Sequence, residues 1–277
     1  MILITGANGQ VGTAFRSLLP EAAVLTRAEL DLTSVGDIPG RLAGLTPSAI
    51  INCAAYTAVD RAEEEPDLAN QINATAVQAL AEYAAGAAIP LVTFSTDYVF
   101  DGTATEPYVE SSPPHPINAY GRSKLAGERA ATLAYPEALI VRTSWVFSAT
   151  HRNFVKTILS AAAERRVRVV ADQSGCPTFA PDLATATLRA VQEGVTGTLH
   201  TTNSGPTTWF ELAREVCAVA GIDPDRIEPI TTEEFPTRAP RPRYSVLGSE
   251  RRAGLGLPEL RPWRDALRVA LGSSVGA

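Results

Sequence analysis

Residues 2–12 read Ile-Leu-Ile-Thr-Gly-Ala-Asn-Gly-Gln-Val-Gly, a short apolar run that ends directly in a glycine-spaced turn. Ile2–Thr5 has the nearly unbroken apolar character of a strand buried on both faces of a parallel sheet. Gly6, Gly9 and Gly12 follow at intervals of three, one residue longer than the commonest dinucleotide-binding turn. Glycines there permit a tight turn, let the backbone approach a diphosphate, and let the next helix pack close to the strand. That helix, expected from Gln10 to Leu19, turns free N–H groups and the positive end of its dipole toward the phosphates. Gly6, Asn8, Gly9, Gln10, Val11 and Gly12 are therefore candidate nucleotide-binding residues.

Working outward, Ala23–Thr26, Ala49–Cys53, Leu91–Ser95 and Leu139–Thr143 repeat the short apolar pattern, and Asp67–Ala85 and Ala119–Tyr135 have helical period. Strand–helix alternation implies right-handed crossovers and an α/β fold, a Rossmann-type doubly wound parallel sheet. After about residue 145 the pattern changes. A helix over Asn153–Arg165, a strand at Val167–Val170 and helices near Pro181–Gln192 and Trp209–Ala220 precede a proline-punctuated stretch, Glu228–Arg243. The expected organisation is an NAD(P)-binding unit over 1–145 and a smaller, mainly substrate-binding region over 146–277. Segments around 165–195 are expected to return to the main sheet.

The chain has 277 residues, 45% apolar and 19% charged, enough to form a substantial core. A net charge of −6 argues against a general nucleic-acid-binding surface. Cys53, Cys176 and Cys217 are too few and too scattered for a disulfide framework or a zinc site. His115, His151 and His200 lack a second metal ligand at suitable spacing and read as loop or surface residues. Glu63–Glu65 reads as a solvated helix start. No leader-like segment or membrane-length apolar run is present, so a cytoplasmic protein is expected.

Two further segments carry chemistry. The end of the second strand usually selects between NAD and NADP; here Arg27 favours a 2′-phosphate and hence NADPH, with NADH the alternative. In Asn118–Glu128, NAYGRSKLAGE, Tyr120 and Lys124 stand four apart on one helix face. A nearby ammonium is expected to lower the phenol's pKa and make it a usable acid. Val92–Phe100, VTFSTDYVF, brings Ser95, Thr96 and Asp97 to the carboxyl edge of the sheet, where open α/β sheets bind ligands.

TGANGQVG, NCAAYTAVDRAEEEP, FSTDYVFDG, YGRSKLAGE, RTSWVF followed by NFVKTIL, and DQSGCPT together resemble the extended short-chain dehydrogenase/reductase superfamily. Within it, the dTDP-4-dehydrorhamnose reductase family is the most similar. These motifs span residues 5–178, with weaker likeness in GTLHTTNSG and RPRYSVL. The resemblance implies reduction of a dTDP-4-keto-6-deoxy sugar by NAD(P)H, with Tyr120 as proton donor, Lys124 on the nicotinamide ribose, and Thr96 completing the catalytic set. It places the dinucleotide on Gly9, Gln10 and Val11, on Asp31 and Leu32 near the adenine, and on Ala54, Ala55 and Tyr56. Thr96, Asp97, Trp145, Asn153, Arg241 and Arg243 become substrate-binding candidates. Some members hold magnesium at a subunit interface through a glutamate two residues after the last loop glycine. Ala14 stands there, so no metal is expected, and the chain is expected to be a monomer or homodimer.

Two other functions fit parts of the sequence. A nucleotide-sugar epimerase or dehydratase shares the motifs, but related dehydratases carry a glutamate where this chain has Tyr98. A non-catalytic NADP-binding regulatory subunit has no need of the Tyr120–Lys124–Thr96 set.

Overall fold

The computed structural model describes residues 1–272. Its first half alternates β1 (Ile2–Thr5), α1 (Gln10–Leu18), β2 (Ala23–Leu25), α2 (Ile38–Leu45), β3 (Ala49–Asn52), α3 (Pro66–Asn70), α4 (Ala76–Ala87), β4 (Leu91–Thr96), α5 (Ala119–Ala134) and β5 (Leu139–Thr143). Then come β6 (Val146–Phe147), α6 (Phe154–Glu164), β7 (Val167–Val170), β8 (Ser174–Gly175), β9 (Thr178–Phe179), α7 (Ala180–Gln192) and β10 (Gly197–His200). The chain continues through β11 (Asn203–Ser204), β12 (Thr207–Thr208), α8 (Trp209–Val219), β13 (Ile227–Ile230), β14 (Leu260–Pro262) and α9 (Trp263–Ala270).

Six strands form one parallel sheet in the order β10-β5-β4-β3-β1-β2. The chain direction across this sheet reverses between β1 and β3, which opens a crevice at their carboxyl ends. Both faces are covered. Leu42, Leu80 and Ala84 of α2 and α4 bury one face, and Phe15, Leu183 and Ala184 of α1 and α7 bury the other. Each large side chain fully removed from water contributes about 2 kcal/mol to that packing. The sixth strand is Gly197–His200. Val167–Val170 instead pairs with β13 in a separate two-stranded sheet. A third cluster around Phe147, Val216, Trp263 and Leu267 holds the C-terminal elements together.

The helical period across Asp67–Ala85 is realised as α3 and α4 joined by a π-helical turn over Gln71–Thr75. The wider turn accompanies a junction built on the buried Asn73. Its Oδ1 accepts from the Tyr56 amide at 2.9 Å, and its Nδ2 donates to the Tyr56 carbonyl at 3.0 Å and to Ser123 Oγ at 2.9 Å. One side chain thus ties the segment after β3 to α5, as π-turns at functional sites often do.

Candidate active site

The glycine turn meets the switch point at very short range. A Cβ on Gly6, whose φ is +62°, would lie 2.4 Å from the Ala54 amide nitrogen. Only glycine satisfies both the conformation and the approach. Gly9 caps α1 with no side-chain hydrogen bond, and the first turn of α1 has no acidic residue. Its N–H groups and dipole are left for an anion, so the local backbone fits a dinucleotide diphosphate.

α5 is placed by its own caps. Asn118 Oδ1 accepts from the Gly121 amide at 2.7 Å, and its Nδ2 donates to the Pro240 carbonyl at 2.9 Å. Glu63 Oε1 accepts from the Ala119 amide at 2.7 Å. Glu65 accepts from the Tyr56 hydroxyl at 2.7 Å, so the acidic run is not simply a solvated helix start: two of its members anchor the site. A Cβ on Gly121 would come within 2.1 Å of the Tyr98 carbonyl oxygen, so glycine lets α5 lie directly on the turn after β4. That contact brings Tyr120 beside Thr96.

Thr96 Oγ1 donates to Asp97 Oδ1 at 3.0 Å and accepts from the Tyr98 amide at 3.2 Å. Tyr98 packs edge-on to Tyr120, with ring centroids 6.0 Å apart. Burial pushes the Tyr120 phenol up to about 12, against the lowering effect of its hydrogen bond with Thr96. Burial likewise lowers the Lys124 ammonium to about 8, opposed by the charge of Glu128. The sign for Tyr120 is opposite to that expected from the spacing alone, because lost hydration, aided by the charge of Asp97, outweighs the Thr96 contact. The phenol is held protonated. Asp97, also buried, is raised to about 6, chiefly by desolvation, and its Oδ2 has no hydrogen-bond partner.

A cleft of about 770 Å³ joins these parts. Of the sequence candidates, Gly6, Gly9, Gln10, Val11, Arg27, Asp31, Leu32, Ala54, Ala55, Thr96, Asp97, Tyr120, Lys124 and Trp145 line it. Arg27 Nε lies 3.4 Å from Asp31 Oδ2 at the outer end. Trp145 adopts φ +46° and stacks on Trp209, with ring centroids 3.5 Å apart. Such a left-handed tryptophan is strained unless its surroundings impose it, as that stack does here.

Other candidates lie elsewhere. Asn8, Gly12, Tyr56, Asn153, Arg241 and Arg243 are outside the lining. Asn153 caps α6 by accepting from the Lys156 amide at 3.1 Å. Arg241 is held by Asp60 through contacts of 2.5 and 2.7 Å, and Arg243 by Glu233. The carboxylates that neutralise these arginines are distant or unremarkable in sequence, and no local pattern pairs them.

Ser95, placed by the sequence at the carboxyl edge of the sheet, lines the cleft, but sequence reasoning missed other lining residues, notably Thr143, His151 and Arg152. The Ser95 and Thr143 hydroxyls are buried without partners. The register pairs Thr96 with Thr143 across β4 and β5, a signal that becomes readable only once the strand alignment is known. The histidines also depart from expectation. His115 is exposed, but His151 lines the cleft and His200 is buried in β10. His200 Nδ1 lies 2.8 Å from the Gly248 carbonyl oxygen.

Comparisons with known proteins agree with this architecture. The RmlD substrate binding domain profile matches residues 1–274. A probable dTDP-4,6-dihydroxy-2-methyloxan-3-one 4-ketoreductase of Streptomyces antibioticus is 44% identical, covering 97% of this chain and 93% of that protein. A dTDP-4-dehydrorhamnose reductase of Mycolicibacterium smegmatis is 42% identical over 100% of this chain and 86% of its own. The crystal structure of a dTDP-4-dehydrorhamnose reductase from Bacillus anthracis in complex with NADP superposes with TM-score 0.94 at 37% identity, covering 98% of each chain. No described helix is long and apolar enough to cross a membrane.

Proposed function

Because this chain belongs to the RmlD substrate binding domain family, we propose that it is an NAD(P)H-dependent reductase of the 4-keto group of a dTDP-4-keto-6-deoxy sugar, converting dTDP-4-dehydrorhamnose to dTDP-L-rhamnose. The observation that carries this reading is the convergence of Tyr120, Lys124 and Thr96 with the glycine turn in a single cleft. When bound, the dihydronicotinamide supplies the hydride. The residues of this chain supply position and the proton.

Tyr120 donates its phenolic proton to the keto oxygen as that oxygen gains charge, leaving an alcohol. Its raised pKa keeps that proton in place until a better acceptor forms. The Thr96 hydroxyl stands beside the phenol in the same cleft, and so shares the carbonyl oxygen's neighbourhood. Lys124, one turn along α5, would hold the nicotinamide ribose and stabilise the phenolate after transfer. The uncapped turn of α1 takes the diphosphate, while Leu32, Ala54 and Ala55 line the adenosine path. Arg27, at the outer end of the cleft, would meet a ribose 2′-phosphate, which favours NADPH as the reductant. Trp145 and Asp97 contact the sugar nucleotide, Asp97 through its unpartnered oxygen. Residues 1–145 serve chiefly the dinucleotide and 146–277 chiefly the substrate.

The test is direct. Purified protein mixed with the dTDP-4-keto-6-deoxy sugar and NADPH should consume one reduced cofactor per sugar, and NMR should identify dTDP-L-rhamnose. Product formation without net cofactor consumption would point instead to epimerase or dehydratase chemistry.

A further inference from the structure

Residues 146–153 run back over the glycine turn, and side chains from both segments join them. Gln10 Nε2 donates to the Val146 carbonyl at 3.1 Å. Gln10 Oε1 accepts from Ser148 Oγ at 2.9 Å and from Asn153 Nδ2 at 3.0 Å. Asn153 Nδ2 also donates to the Ser148 carbonyl at 2.8 Å and the His151 carbonyl at 3.0 Å, which fixes the bend of this strap.

His151 makes the second attachment. Its Nε2 lies 3.0 Å from the Asn8 carbonyl oxygen. A carbonyl can only accept, so Nε2 carries the ring proton and Nδ1, 3.0 Å from Thr150 Oγ1, accepts. The Asn8 side chain is approached from its other side by Arg16, at 3.4 Å.

Arg152 follows immediately. It lines the cleft together with His151, Gly9, Gln10 and Val11, and its side chain is exposed. Among the described residues no carboxylate pairs with Arg152. Arg27, the other exposed arginine of the lining, already faces Asp31. An unpaired guanidinium on a strap tied to the glycine turn, lining the same cleft as the uncapped start of α1, supplies the donors that recognise a diphosphate.

We propose that Arg152 is a diphosphate-binding residue and that His151 is the positioning residue that seats it over the glycine turn. The inference rests on the reading of the cleft as a dinucleotide site. Two ligands of that reading carry a diphosphate, the dinucleotide and the thymidine nucleotide. The attachment of the strap to Gln10 and Asn8, on the glycine turn itself, assigns Arg152 to the dinucleotide.

Calorimetric titration of the full-length protein separates the cases. ADP-ribose retains the dinucleotide's diphosphate, adenosine 2′-phosphate lacks it, and dTDP carries that of the substrate. Arg152→Ala should weaken ADP-ribose binding by about tenfold, as loss of a charge-assisted contact does. The deficit should shrink at high salt. Arg152→Lys should recover part of it, since lysine keeps the charge without the two-pronged geometry. His151→Ala should give a smaller loss that His151→Gln, which can still donate to the Asn8 carbonyl, restores. Adenosine 2′-phosphate and dTDP should bind these variants as they bind the parent. Thermal unfolding of Arg152→Ala should match the parent, because the residue is exposed.

Equal ADP-ribose affinity in the parent and Arg152→Ala would overturn the proposal and leave the dinucleotide reading standing. A loss confined to dTDP, or an equal loss for adenosine 2′-phosphate, would overturn it by assigning Arg152 to another phosphate. A parent protein that binds neither ADP-ribose nor NADPH would overturn both.

Discussion

On α5, Lys124 and Glu128 are one turn apart and both are buried, but they are treated differently. Glu128 receives two bonds from Arg142 of β5, at 2.8 and 2.7 Å, and Arg142 also lies 5.2 Å above the Phe100 ring. Lys124 has no such clasp. Burial disfavours its charge, the Glu128 carboxylate favours it, and it lines the cleft together with Tyr120. The lower turn holds a satisfied ion pair that fixes α5 to the sheet. The upper turn holds two titratable groups kept from water without being neutralised, the condition found where groups must exchange protons. The same helix therefore carries a structural charge and a chemical one, distinguished by whether a partner is present.

Breaking the lower pair should have the largest effect on stability. Glu128→Ala leaves the Arg142 guanidinium buried and unpaired, with an expected loss of about 3–5 kcal/mol in denaturant unfolding. Replacing both partners together, as in Glu128→Leu with Arg142→Met, should recover most of that loss. An additive double variant would show that the pair is not acting as a unit.

The upper turn should respond in reverse. Lys124→Met should leave stability unchanged or higher, because it removes a buried charge, while turnover falls by at least about a hundredfold. The pH dependence follows from the depressed pKa. Between about 8 in the native state and about 10.4 in the unfolded chain, the unfolded chain holds the extra proton. Parent stability should therefore rise with pH across that window, and Lys124→Met should flatten the rise. A steeper rise in the variant would reverse this assignment.

Asp97 offers a smaller test of the same contrast. Its native pKa is raised to about 6 from about 3.9, so the native state holds the extra proton between those values. Stability should fall as pH rises through the interval, and Asp97→Asn should remove that part of the slope. The smallest effect belongs to the exposed Arg27–Asp31 pair. Arg27→Ala should change stability by less than about 1 kcal/mol, while lowering the preference for NADPH over NADH. An unchanged cofactor ratio would place the discrimination elsewhere.

What could be read from the sequence follows the range of the interactions involved. β1, the glycine turn and the start of α1 are specified by neighbouring residues, so Ile2–Gly12 could be read directly. Tyr120 and Lys124 share a face by helical period alone. The Asp60–Arg241 pair joins residues 181 apart, and the His151–Asn8 contact joins residues 143 apart, so neither has a local signature. Gly121 had a reason that spacing could not show, a carbonyl from the β4 turn lying where its Cβ would be. The electrostatic sign at Tyr120 was out of reach for the same reason: a helical spacing gives proximity but not burial.

The most direct measurement compares Tyr120→Phe with the parent in two assays, NADPH binding by calorimetry and a single turnover of the dTDP-4-keto-6-deoxy sugar. Cofactor affinity within about twofold of the parent, with turnover reduced by about 10²–10⁴-fold, is the expected result for loss of a general acid alone. Parent-like turnover in that variant would contradict a proton delivered by the Tyr120 phenol.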